Sequence, residues 1–145
     1  MGRSISSRRT HLTGLGGLAL AGGRPDEARA VFAEVLRGID PIAFPLEARD
    51  QLSLFGILAA AEGRPVPAAR LLAAGAAGVG LPGTVDRPDI RVEGTDAVAR
   101  VRAALGPAAF AAAWAEGQAM PLEQAVALAL EGATAAAELA EPRAP

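Results

Sequence analysis

The sequence predicts an all-α protein: an array of helical hairpins finished by three closing helices. Three observations lead there. Gly23-Arg24-Pro25-Asp26-Glu27-Ala28 returns as Gly63-Arg64-Pro65-Val66-Pro67-Ala68, displaced by 40 residues. Each copy lies between two alanine-rich apolar runs, so each reads as the turn of a hairpin, and a hairpin used twice in register marks a helical repeat array. Composition agrees, because 51% of residues are hydrophobic but only 3% aromatic. Burial therefore rests on Ala, Leu and Val; Ala is the strongest helix former, and strand formers are sparse.

The same composition narrows function. The chain has no Cys, which removes disulfides and thiolate chemistry. It has no Lys, which removes a Walker-type phosphate loop and Schiff-base chemistry. All 14 basic residues are Arg, spread along a chain of net charge −2, whereas nucleic-acid binding calls for a clustered basic face. No apolar run reaches the roughly 20 residues of a membrane span.

Taken in order, residues 1–9 read as a disordered, Arg-bearing N-terminus, and residues 10–131 as the repeat domain. A first helix runs from about Thr10 to Ala21. A second starts at Pro25, where a missing donor costs nothing and Asp26 and Glu27 suit the positive helix end; it closes at Gly38. The second hairpin takes Leu46 to Ala61 and Val66 to Ala77. Gly78 to Gly94 reads as a loop by its turn chemistry. Val98, Val101 and Leu105 form the stripe of a first closing helix, ended by Gly106-Pro107. Phe110, Ala113 and Trp114 form a second. Leu122, Ala125, Val126, Ala129 and Leu130 form a third at helical spacing. Residues 132–145 read as a flexible tail.

Aligned on the 40-residue shift, Leu12, Leu15, Gly16, Ala19, Ala28, Phe32 and Val35 fall on Leu52, Phe55, Gly56, Ala59, Ala68, Leu72 and Gly75. This order of large and small residues resembles tetratricopeptide repeats, and implies an α-α superhelix segment. The block Val101-Arg102-Ala103-Ala104-Leu105-Gly106, Phe110, Ala113-Trp114-Ala115-Glu116-Gly117, then Leu122-Glu123-Gln124-Ala125 is similar to the end of the tetratricopeptide-like array in large bacterial ATP-binding LuxR-type transcriptional regulators. Related arrays end adenylate-cyclase-like regulators. Pro121 stands where that family has a capping Ser or Thr. Neither the ATPase nor the helix-turn-helix is in this sequence. The resemblance thus implies a regulatory or interaction segment with a protein partner such as an ATPase or regulator domain, scope for self-association, and a cytoplasmic location. A competing reading treats Ser7-Arg8-Arg9 and the run ending Ala19-Leu20-Ala21 as a twin-arginine export signal, with His11 where such signals usually carry Phe. The repeat match over the same residues favours the helix.

No constellation supports catalysis, a cofactor or a metal. Gly14-Leu15-Gly16-Gly17-Leu18-Ala19 fits a dinucleotide pattern formally but lacks the preceding strand. His11 is the single histidine. Asp86, Asp89, Glu93 and Asp96 are too sparse for a calcium loop, and Arg87 and Arg91 neutralise them. Glu116 lies off the Trp114 stripe. The candidate partner-binding positions are those expected to face outward from the first helix of each pair: Thr13 and Gly17, then Asp50, Ser53, Ile57 and Ala60. Such a surface suits a protein partner or, alternatively, a small-molecule effector.

Overall fold

The computed structural model describes the backbone over residues 2–77 and 88–140, and the side-chain surroundings of 11–77 and 94–132. It is all-α, with seven helices and no strand among the described residues. They are α1 (Gly2–Ala21), α2 (Pro25–Arg37), α3 (Pro45–Ala61), α4 (Pro65–Ala76), α5 (Pro88–Leu105), α6 (Pro107–Ala119) and α7 (Leu122–Ala140).

The two hairpins repeat at the level of single hydrogen bonds. In the first turn Gly23 N–H donates to Leu20 O at 3.1 Å and Arg24 N–H to Ala19 O at 2.8 Å; in the second, Gly63 N–H donates to Ala60 O at 3.2 Å and Arg64 N–H to Ala59 O at 2.9 Å. These paired bonds satisfy the last carbonyls of the first helix. They require a left-handed residue, supplied by Gly23 at φ +75° and Gly63 at φ +73°. Arg24 and Arg64 then serve as N-caps, with Pro25 and Pro65 at the first helical position. One residue thus ends one helix and opens the next. The α5–α6 turn is shorter: Gly106, at φ +82°, is itself the N-cap and Pro107 follows.

Packing follows the same 40-residue shift. Gly16 lies under the Phe32 ring and Gly56 under Leu72, where an added Cβ would stand 2.6 Å from Leu72 Cγ. Ala28 and Ala68 are fully buried in the second helix of each pair. The core centres on α3, which is buried all round from Leu54 to Ala60, as expected of an encircled helix. Phe32 meets Phe55 edge to face, ring centroids 6.2 Å apart, and joins α2 to α3. Helix α5 packs on α3 and α4, α6 lies along α4, and α7 crosses back over α2, α3 and α4. Gly117 of α6 sits directly on the Arg70 carbonyl and Ala73, so those two helices touch at backbone distance.

Four expectations need correction. Helix α1 begins at Gly2 rather than near Thr10. Helix α5 starts at Pro88, inside the stretch expected to be a loop; residues 78–87 lie outside those described. Helix α7 continues to Ala140, since the Ala-rich run after Gly132 favours helix. Trp114 is only half-buried, stacked on Phe110 with centroids 5.5 Å apart. The fully buried large residues are instead Phe32, Leu36, Leu52, Leu58 and Val101.

Candidate functional site

The first helices of the three successive pairs, α1, α3 and α5, come together around one shallow cleft of about 230 Å³. Helix α1 gives it Gly17, Leu20 and Ala21, α3 gives Ile57 and Ala61, and α5 gives Asp96, Ala97 and Arg100. The floor is apolar and the α5 rim carries one charge of each sign, a turn apart. Pockets that engulf a drug-sized molecule hold roughly 300–1,000 Å³. This one has room for a side chain or two of a docked segment.

The predicted partner-binding positions divide on inspection. Gly17 and Ile57 line the cleft, although Ile57 is 8% exposed and forms floor rather than rim. Thr13 is not outward at all. It is 7% exposed and accepts a hydrogen bond from Gln51 Nε2 at 3.1 Å, which ties α1 to α3. Ser53 turns inward to α4, where Gly75 leaves space for its hydroxyl. Asp50 is half-exposed, and Ala60 is buried. The expectation failed for Thr13 and Ser53 because the register of a helix in sequence does not say which flank its neighbours will cover. His11 is exposed on α1.

A second cleft, of about 280 Å³, opens on another face of the C-terminal end of α3, between the second hairpin turn and α7. Its wall contains Arg29, whose side chain is 7% exposed. Arg29 is paired with Glu62 at the end of α3 and with Asp26 Oδ1 at 2.8 Å. Residue 69, the equivalent of Arg29, is a buried alanine, and residue 22, the equivalent of Glu62, is glycine. The pair is therefore a feature of the first hairpin reaching to the second. Arg24 pairs with Glu27 at 3.0 Å, but the corresponding acid in the second turn is replaced by Pro67. Arg64 instead turns under α7, with Nη2 3.3 Å from where a Cβ on Gly132 would stand. Among the described residues Arg64 has no ion pair. In the sequence, Arg64 differs from Arg24 in that the acid three residues on, Glu27, is replaced by Pro67.

No family model, curated protein or solved structure matches this chain. Among the described residues no three His, Cys, Asp or Glu side chains converge to hold a metal ion. The acidic positions Asp86, Asp89 and Glu93 have side chains outside the described set. Glu116 pairs with Arg70 at 2.7 Å, linking α6 to α4. No described helix is long and apolar enough to cross a membrane.

Proposed function

We propose that the chain is a non-catalytic interaction and regulatory module of tetratricopeptide type, acting in the cytoplasm as the sensor segment of a LuxR-type bacterial regulator does. The observation that carries the reading is the cleft shared by α1, α3 and α5. Repeats bring equivalent helices side by side, and the surface they share is continuous, concave and suited to an extended segment or a helix. Conversion of Arg100 to Glu reverses the rim charge at an exposed position, and Gly17→Arg fills the cleft without disturbing the core. Proteins that co-purify with the wild-type chain should be lost with both variants at unchanged melting temperature. Retention of the same proteins by both variants would remove the groove from the interaction.

The Arg64 cleft favours a second reading, a sensor of a small anionic effector. The floor of Phe55, Leu58 and Leu71 is apolar; of the charged groups in the lining, Arg29 is held by Glu62, which leaves Arg64 to meet a single carboxylate on a short apolar body, with the Glu131 carboxylate also in the lining. Thermal stabilisation by such a molecule in the absence of any protein, abolished by Arg64→Gln, would favour this reading over the first.

A further inference from the structure

The 40-residue equivalence exposes one place where the array is incomplete. Leu15 corresponds to Phe55 and Leu18 to Leu58. In α3 these two are 4% and 1% exposed, because α2, whose Phe32 meets Phe55, and α7 both pack on that helix. In α1 they are 45% and 67% exposed. Gly14 and His11, on the same stripe one and two turns before Leu18, are exposed as well, and a side chain added at Gly14 would meet nothing. The chain thus contains a finished copy of this interface, α2 on α3, and an open copy of it on α1.

The finished copy also states the direction of the missing helix. Arg29, early in α2, reaches Glu62 just past the end of α3, while Phe32, later in α2, meets Phe55 earlier in α3. The covering helix therefore runs antiparallel to the one it covers. Over α1 its C-terminal half would point toward the start of that helix, whose sequence from Gly2 to Ala21 has three arginines and no carboxylate. At its N-terminal half the counterpart of Glu62 is Gly22, so the occupant needs no equivalent of Arg29.

We propose that the bare face of α1 docks an amphipathic helix of a partner protein, laid antiparallel to α1, with an aromatic in its apolar stripe and carboxylates in its C-terminal half. This surface is separate from the α1–α3–α5 cleft, so the proposal stands whether or not that cleft binds anything.

The probe is a stapled peptide of the α2 sequence, Pro25–Arg37, carrying Arg29→Ala and Arg37→Glu, with the staple joining the outward positions 26 and 30. The staple holds a helix too short to persist alone in water. With the full-length chain, binding followed by fluorescence anisotropy should weaken with added salt and should protect the amides of α1 from hydrogen exchange. Leu18→Asp in the chain, or Phe32→Ala in the peptide, should lower affinity about tenfold or more, as loss of an interface anchor does. Leu18 is exposed, so its replacement leaves the fold intact, which an unchanged melt verifies. Arg100→Glu should bind the peptide like wild type. Absence of binding, insensitivity to Leu18→Asp, or protection confined to the α1–α3–α5 cleft would overturn the proposal. So would a dimer of the chain alone that Leu18→Asp dissolves, since the face would then belong to a second copy.

Discussion

Three glycines of this chain show how one substitution changes sign with its surroundings. Gly63 adopts φ +73° with nothing near its absent Cβ, so Gly63→Ala meets only backbone strain and should cost about 1–2 kcal/mol. Gly14 lies inside α1 with equally open space and ordinary helical torsions. There the same replacement should stabilise by roughly 0.5–1 kcal/mol, the helix preference of Ala over Gly. Gly117 has helical torsions but stands on the Arg70 carbonyl and Ala73. Gly117→Ala should cost about 1–3 kcal/mol, because backbone cannot yield as a flexible side chain does. Urea melts of the three variants test the set, and identical signs at Gly14 and Gly117 would refute the close approach of α6 to α4. Gly23 and Gly63 were legible in the sequence, since turn chemistry is local. Gly117 was not, because the helix that crowds it is 40-odd residues away in the chain and its Gly-containing segment reads like any solvent-facing turn.

Between elements, the ion pairs differ in kind though they look alike on paper. Arg24–Glu27 is exposed on both sides, 58% and 57%, and its loss should change stability by about 0–1 kcal/mol. Arg29–Glu62 joins α2 to the end of α3 with the cation buried. Removing the acid leaves that cation with only Asp26, whose side chain is mostly in solvent. Glu62→Ala should therefore cost about 1–3 kcal/mol, less than the 3–5 kcal/mol of a wholly buried pair because Glu62 is itself partly exposed. A double-mutant cycle with Arg29→Met measures the coupling. A coupling no larger than that of Arg24 with Glu27 would mean that burial of the cation adds nothing to the pair. The helices themselves could be read from periodicity, but the pairing of Arg29 with Glu62 could not. Its two residues come from different copies of the repeat, and each is replaced, by Ala69 and Gly22, where the equivalence would have drawn attention to it.

At the scale of the whole molecule, α1 contributes Gly16 beneath Phe32 and Thr13 to Gln51, so it is a structural member of the first pair. A chain starting at Gly22 should expose Phe32 and lose cooperativity in thermal denaturation, because stability in such arrays comes from neighbouring interfaces. Equal or greater stability of the shortened chain would show that residues 1–21 are dispensable and would favour the export reading of Arg8-Arg9. The general architecture was legible because two hairpins in register reveal their own packing: small residues at 16, 28, 56 and 68 mark the crossings. The cleft was legible only in part. Gly17 and Ile57 reach it, but its far wall comes from α5, whose side-by-side placement with α3 depends on tertiary contacts that no local pattern announces.

Helix α7 touches α2, α3 and α4 together. A simple solenoid can grow, because inserting a further unit merely lengthens the stack. Here the last helix is bolted across both hairpins, so a duplicated 40-residue unit placed at residues 38–44 would push α2 out of reach of α7 and open the Arg29 cleft. Insertion is barred in the middle of this molecule, whereas among the described residues Leu15 and Leu18 of α1 stand uncovered where their α3 equivalents are buried, so the two hairpins are not interchangeable and the array has a direction.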